Sequence, residues 1–389
     1  QEEILEKAKR AKDASFNVLN YTTAQKNKFL EILSANISQN QKKILSANSK
    51  DIKNAIKNNH SSAFIDRLTL TGERIYKILT GIEVVKNLPD PIGEKISETI
   101  RPNGLRIEKI RIPIGVIGII YESRPDVTVE ASILCLKSGN CVILRGGKEA
   151  KHSNKILVSL IKKSLVEAGL SEDMVHLINS GGRKAVKYLL SLNKYIDLII
   201  PRGGESLIKT VVEESTIPVI KHYKGVCHTY VDRDADLNMA LNVCYNAKVQ
   251  RPATCNAMET LLVHKDIAPS FLPSMAEKFK QAKVEMRGCE RTIKILPDIK
   301  KATEEDWTTE YLDLIISIKI VDSLEDAINH INHYGTMHSE AIITKNQEAV
   351  NKFFKEIDAA ALFHNASTRF TDGGEFGMGA EIGISTDKI

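Results

Sequence analysis

Continuous aliphatic runs alternate along this chain with stretches of helical spacing, and that alternation constrains the fold more than any other feature. Gly115-Val-Ile-Gly-Ile-Ile-Tyr121, Cys141-Val-Ile-Leu144 and Ile196-Asp-Leu-Ile-Ile200 are the clearest runs. A strand that is aliphatic at consecutive positions is suited to burial on both faces, as in a parallel sheet covered by helices. Pro125 to Lys137 reads as a helix, and Ser153 to Ala168 as another that stops at Gly169, the residue type favoured just past a helix end. Met174-Val-His-Leu-Ile178 and Val219-Ile220 continue the strands, with Gly-Gly turns at 146, 181 and 203. Strands joined by helices imply a doubly wound α/β sheet whose ligand lies at the carboxyl ends of the strands. A second series follows: strands at Thr229–Val231, Thr260–Val263, Ile315–Val321 and Ala341–Ile343, with helices at Ala235–Ala247, Pro269–Ala282 and Leu324–His333. Two doubly wound parallel-sheet lobes are therefore expected.

Residues 1 to about 88 carry apolar positions at helical spacing (Ile4, Ala8, Ala11; Leu30, Leu33, Ile37) and read as a helical layer over a sheet. Leu105-Arg-Ile-Glu-Lys-Ile-Arg-Ile-Pro113 alternates aliphatic with charge, the pattern of a half-exposed ribbon. An arm near 95–112 is suited to pairing with another subunit. The formal charge of +5 is spread among acids, which is no nucleic-acid footprint. Six cysteines show neither CxxC pairs nor His/Cys ligand spacing, which argues against structural zinc and a disulfide scaffold and for a reducing, cytoplasmic setting. No apolar run has the length of a membrane span, and the polar start is unlike a signal peptide. Because the first residue is Gln1 and the last, Ile389, ends an ordered-looking run, the natural chain is expected to extend beyond both.

Cys255 lies in Val249-Gln-Arg-Pro-Ala-Thr-Cys-Asn-Ala-Met-Glu-Thr-Leu-Leu-Val263. Most cysteines are small buried hydrophobes, and the other five fit that reading. A polar, Pro-containing turn is a poor place for a core residue, so Cys255 is the candidate nucleophile, with Lys248 and Arg251 near enough in sequence to favour the thiolate. Gly146-Gly147-Lys148 follows a strand and precedes a helix, offering bare amides and a cation to a phosphate, although ligand-free tight turns read the same way. Gly377-Met-Gly-Ala-Glu-Ile-Gly383 lacks the spacing and the βαβ context of a dinucleotide fingerprint and reads as a closing loop. His330 and His333 have no third ligand and read as a solvated helix face; no metal site is expected.

Four segments resemble one family: Pro113-Ile-Gly-Val-Ile-Gly-Ile-Ile-Tyr-Glu-Ser-Arg-Pro-Asp126, Leu198-Ile-Ile-Pro-Arg-Gly-Gly204, Ala253-Thr-Cys-Asn-Ala-Met-Glu-Thr260 and Asn365-Ala-Ser-Thr-Arg-Phe370. They are similar to the gamma-glutamyl phosphate reductases, a branch of the aldehyde dehydrogenase superfamily. With nothing like a glutamate kinase domain ahead of it, the monofunctional form is expected. The resemblance implies an aldehyde dehydrogenase-like α/β fold with a ribbon oligomerisation arm. It implies a cofactor lobe over 1–226, completed by 357–389, and a thiol lobe over 227–356.

It also implies Cys255 as nucleophile, with Ser123 standing where other members hold the oxyanion with asparagine. Asn256 and the Cys255 amide would share that task. Arg145, Gly146, Gly147, Lys148, Arg202, Gly203, Gly204, His222 and Glu310 would line the cofactor site. Lys148, where an acid often meets the ribose hydroxyls, favours NADP(H). His222 stands where hydrolytic members have a water-activating glutamate, which disfavours hydrolysis. Arg124, Asn365, Ser367 and Arg369 would surround L-glutamyl 5-phosphate. Expected partners are that substrate, a dimer or tetramer of the same chain, and functional coupling to glutamate 5-kinase, with no nucleic acid or membrane. The rival readings are a hydrolytic aldehyde dehydrogenase and a fold-retaining protein without catalysis.

Overall fold

The computed structural model describes residues 1–179, 181–221 and 223–387. The chain divides into two compact units, Gln1–Lys221 with Gly379–Gly383, and His222–Met378 with Ile384–Ile389.

The first unit opens with helices Glu2–Asn17, Thr23–Gln39, Gln41–Lys57, Ser62–Leu68 and Gly72–Asn87, the expected layer. A reciprocal cap starts the second: Thr22 Oγ1 accepts from Gln25 N–H at 3.3 Å, and Gln25 Oε1 from Thr22 N–H at 3.0 Å. Ile4, Ala8, Ala11, Phe29, Leu30 and Leu33 join one core with the strands beneath. Polar ties fix the docking. Lys12 Nζ reaches Asp197 at 2.8 Å, and Asp197 also accepts from Val116 N–H at 2.8 Å. Asp51, buried on the third helix, accepts from His152 N–H at 3.1 Å, Ser153 N–H at 2.8 Å and Ser153 Oγ at 2.7 Å. It thereby caps the helix Lys151–Glu167 from a hundred residues away.

The arm is a two-stranded antiparallel ribbon of β1 (Lys95–Ile100) and β2 (Arg106–Ile110), with Glu98 opposite Glu108 and Ile100 opposite Arg106. Both strands are exposed throughout, not half-exposed as the alternation suggested. Next come β3 (Val116–Tyr121), β4 (Cys141–Gly146), β5 (Val175–Leu177) and β6 (Leu198–Arg202), parallel and in the order β5-β4-β3-β6. Every residue of β3 and β4 is buried, Arg145 near the end of β4 included, as aliphatic runs such as Cys141–Leu144 lead one to expect of strands covered on both faces. The order reverses between β3 and β6, opening a crevice at their carboxyl ends. Val219, expected in a strand, makes only a single bridge to Ile199, because Pro218 has no N–H with which to extend the ladder.

The second unit holds β7 (Cys227–Val231), β8 (Met258–His264), β9 (Glu285–Gly288), β10 (Lys300–Lys301), β11 (Ile315–Val321), β12 (Ser339–Ile343) and β13 (Ala361–His364). They form one parallel sheet in the order β10-β9-β11-β8-β7-β12-β13. Successive side chains feed opposite cores. Leu261 and Val263 pack with Ala240, Cys244 and Phe271, whereas Leu262 packs with Ile328, Ile331 and Phe353.

Three expectations are corrected. The segment 357–389 was assigned to the cofactor lobe, but β13 pairs with β12 in the second unit, and only Gly379–Gly383 joins the first. His330 is not on a solvated face: it is buried edge-on to Trp307 and His228, with Nδ1 3.0 Å from Lys319 Nζ. Cys289 is half-buried beside Thr292 Oγ1 at 3.3 Å and is not a core residue. No helix among the described residues is long and apolar enough to cross a membrane.

Asp51→Ala strips three donors of their acceptor at a buried helix start. It should lower the free energy of urea unfolding by about 2–4 kcal/mol. A loss below about 0.5 kcal/mol would show that this cap does not secure the helical layer.

Candidate active site

The second sheet gathers its chemistry at the amino ends of its strands, opposite to the edge expected from a doubly wound sheet. Cys255 lies between the helix Leu237–Val249 and β8. Its turn is closed by Ala257 N–H to Thr254 O at 3.0 Å and Thr254 Oγ1 to Arg251 O at 2.8 Å. Just before β7, Gly225 packs so tightly that a Cβ there would lie 1.8 Å from the Cys255 carbonyl oxygen. Only glycine fits. Its N–H donates to Glu310 Oε1 at 3.0 Å, and Glu310 precedes β11. The first residue of β7 completes the seat, with Cys227 Sγ donating to Cys255 O at 3.2 Å. Burial pushes the Cys227 thiol well above its usual range, so it stays a neutral donor, while Cys255 is partly exposed.

Asn256 is held from the turn Thr368–Thr371. Arg369 Nη1 donates to its Oδ1, Thr368 Oγ1 to its backbone oxygen at 2.7 Å, and Arg369 Nε to Gln250 Oε1 at 3.0 Å. Burial lowers the Arg369 pKa, and attraction to Asp372 chiefly, with a smaller share from Cys255, opposes that shift. Thus Cys255, Asn256, Arg369 and Glu310 are brought into one constellation. Asn365 and Ser367, expected around the substrate, are spent on backbone. Asn365, at φ 54°, accepts from Thr344 N–H at 3.0 Å and donates to Thr344 O at 3.1 Å. Ser367 Oγ accepts from Arg369 N–H at 3.2 Å. Lys248 was expected to favour the thiolate, but it is fully buried with Nζ 2.6 Å from Glu259 Oε2, so its charge is answered there.

In the first unit, a short turn Lys148–Ala150 separates the glycines from the helix Lys151–Glu167, which does not begin at Lys148. The His152 and Ser153 amides at that helix start are already bonded to Asp51, leaving Lys148 as the exposed cation on the turn. Lys148 borders a cleft of about 270 Å³ shared with Asn54, His60, Lys151 and His152. Arg145 turns inward, donating to Gly146 O and, at 3.4 Å, to Gly182 O, and burial lowers its pKa.

Ser123 stands at φ 54° with its N–H on Glu149 Oε1 at 2.8 Å and its Oγ 3.4 Å from the same atom. That carboxylate lies against Gly147, where a Cβ would come within 1.9 Å of it. At the second turn Glu122 Oε2 accepts from Gly204 N–H at 3.2 Å and crowds Gly203. Burial chiefly, with repulsion from Arg202 and Arg67, lowers the Arg124 pKa. His222 lies outside the described residues.

Sequence reasoning missed Gly225, Glu122, Glu149 and Glu259. Only the carboxylates left a local trace, each within a few residues of a singled-out glycine turn or thiol. No group of His, Cys, Asp or Glu among the described residues is arranged to hold a metal ion.

The aldehyde dehydrogenase family model matches residues 1–313. Gamma-glutamyl phosphate reductase of Thermodesulfovibrio yellowstonii is 53% identical over 386 residues, covering 99% of this chain and 92% of that relative. The Petrotoga mobilis reductase is 54% identical over 389 residues, covering 100% and 93%. The crystal structure of gamma-glutamyl phosphate reductase from Thermotoga maritima superposes with a TM-score of 0.96 at 50% identity, covering 100% of this chain and 94% of that one.

Gly225→Ala should push the Cys255 carbonyl aside. Overpacking there is expected to cost about 1–3 kcal/mol of stability and to change the rate at which iodoacetamide alkylates Cys255. Wild-type values for both would mean the methyl is absorbed elsewhere and the contact does not seat the thiol.

Proposed function

The chain belongs to the gamma-glutamyl phosphate reductases within the aldehyde dehydrogenase family, and we propose that it reduces L-glutamyl 5-phosphate to L-glutamate 5-semialdehyde with NADPH, the second step of proline biosynthesis. The observation that carries this reading is the seat of Cys255, a partly exposed thiol on a turn anchored through its carbonyl by Gly225 and Cys227. A backbone held that firmly can present sulfur to an acyl carbon without reorganising.

The Cys255 thiolate attacks the acyl carbon, and the carbon–oxygen bond to phosphate breaks, leaving a thioester. Gly146, Gly147, Lys148, Arg202, Gly203 and Gly204, with Glu310 at the nicotinamide ribose, are the residues we assign to hold NADPH, which would supply the hydride that reduces the thioester. The resulting oxyanion collapses, the carbon–sulfur bond breaks, and the aldehyde leaves with the thiolate restored. No proton is needed on sulfur at either stage. The Cys255 backbone N–H, Asn256 and Ser123 are the groups we assign to the oxyanion; one such donor contributes about 3 kcal/mol in comparable sites.

Arg369 supports this reading as a buried cation bonded to Asn256, the residue after the thiol, and suited to an anionic substrate. We assign Arg124 to the substrate as well, with Asn365 and Ser367 holding the Arg369 turn in place. The dinucleotide fits the residues present: a cation at the edge of a cleft next to the Gly146-Gly147 turn, with Gly146, Gly147 and Gly203 each too crowded for a side chain.

An acyl phosphate hydrolyses readily, which favours functional coupling to the glutamate 5-kinase that would make it, in the cytoplasm. We further assign the ribbon to pairing with a second copy in a dimer or tetramer, on the strength of the exposed Ile96, Ile100, Ile107 and Ile110.

Cys255→Ser should abolish NADPH oxidation by L-glutamyl 5-phosphate while NADPH binding stays within roughly threefold. Activity within roughly tenfold of wild type would remove Cys255 from the mechanism. Lys148→Glu should weaken or invert the preference for NADPH over NADH. A contact to the 2′-phosphate contributes about 1.5–3 kcal/mol, or roughly ten- to a hundredfold in kcat/KM. Equal kcat/KM for the two cofactors in the wild type would show that Lys148 is only a solvated lysine. Light scattering should give a dimer or larger, and a strict monomer at working concentration would overturn the role of the ribbon.

A further inference from the structure

We propose that the buried Lys248–Glu259 pair is a positioning clamp that holds the Cys255 turn and the Glu310 strap in one register, so that thiol and cofactor-binding carboxylate are set by a single device. Lys248 ends the helix before the nucleophile turn and Glu259 is the second residue of the strand after it. Their contact, 2.6 Å from Nζ to Oε2 with both side chains fully buried, draws the two ends of residues 250–257 together.

The other carboxylate oxygen reaches across. Glu259 Oε1 accepts from Leu312 N–H at 3.3 Å, and the Lys248 ammonium lies 5.9 Å from the Tyr311 ring centroid. Leu312 is held at φ 54°, a left-handed conformation that a leucine does not favour unaided. Two residues earlier, Glu310 accepts from Gly225 N–H at 3.0 Å, and Gly225 packs on the Cys255 carbonyl. The contacts close into a ring: Cys255 turn, Gly225, Glu310, Leu312, Glu259, Lys248, and back to the turn. Every member lies in the second unit.

A buried ion pair is a poor source of stability, since apolar residues of similar size usually pack as well. Burial lowers the Lys248 pKa and raises that of Glu259 to about 7, so the surroundings resist charge on both. What the pair supplies that an apolar pair would not is direction. One carboxylate bonds two segments at fixed angles.

The proposal rests on the reading of Cys255 and Glu310 given above, and the test separates the two. Lys248→Met with Glu259→Leu replaces the pair by apolar residues and should keep the melting temperature within a few degrees of wild type. In that folded protein kcat for L-glutamyl 5-phosphate reduction should fall roughly tenfold or more, and the rate of Cys255 alkylation by iodoacetamide should change roughly fivefold or more. Its Kd for NADPH should rise, and that rise should vanish when Glu310→Gln is already present, because the clamp acts through Glu310.

A double variant that folds and keeps kcat, alkylation rate and NADPH Kd within about twofold overturns the clamp, as does an effect on Kd additive with Glu310→Gln. If the double variant unfolds, Glu259→Gln, which retains one acceptor for two donors, is judged by the same limits. Should Glu310→Gln alone leave NADPH binding unchanged, the cofactor role of Glu310 falls, and the clamp is judged on alkylation alone, where a wild-type rate overturns it.

Discussion

The parallel ladder between β7 and β8 is the constraint from which the thiol centre follows. Its register sets Cys227 opposite Met258 and His228 opposite Thr260, so the segments entering the two strands lie side by side. Gly225 enters one and Cys255 the other. Adjacent parallel strands run about 4.8 Å apart, which leaves no space for a side chain between their incoming backbones. The absent Cβ at Gly225 and the seated carbonyl of Cys255 are two views of that spacing. Glu310 enters the same edge before β11, on the other flank of β8. The proposed nucleophile, Cys255, at the amino edge of a parallel sheet departs from the carboxyl-edge rule for ligands, and the departure is tolerable because that group belongs to the protein.

In the first unit, carboxylates recur at backbone amides of the kind that bind anions. Asp51 satisfies the amides at the start of Lys151–Glu167, Glu122 meets the Gly204 amide, and Glu149 lies over Gly147 while holding Ser123. They differ in what they commit. Asp51 is buried and bonded three ways, so its helix start is structural. Glu122 is exposed and makes one long contact to the turn, so that amide is the one most readily surrendered to a phosphate. Glu149 joins the turn after β4 to Ser123 in the turn after β3.

The sheets were legible in the sequence because parallel strands covered on both faces carry aliphatic runs: Val116–Tyr121 in β3, Cys141–Leu144 in β4, Leu261–Val263 in β8, and Ile or Val at five of seven positions in β11. β9 and β10 were not, because Glu285-Met-Arg-Gly288 and the edge strand Lys300-Lys301 are short and polar, with no periodicity to read. Cys255 stood out because a thiol in a polar turn breaks the usual pattern. Gly225 did not, since the approach that demands glycine exists only after two distant strands pair. Lys248 was misread for a related reason: sequence shows what lies near a residue along the chain, while a charge is governed by its partner across space. His330 failed on period alone, because a histidine on a buried face satisfies helical spacing as well as one in water.

The ties between the helical layer and the first sheet set a timetable for synthesis. Asp51 waits for Ser153, and Lys12 waits for Asp197, whose carboxylate also meets the first amide of β3. At roughly 5–20 residues per second, the ribosome delivers Asp197 some 5–20 s after Asn87 closes the layer. Until β3, β4 and the helix Lys151–Glu167 have followed, Phe29, Leu30 and Leu33 lack the core they join. The nascent chain must carry an apolar helical surface, and the speed of elongation decides how long a chaperone has reason to hold it.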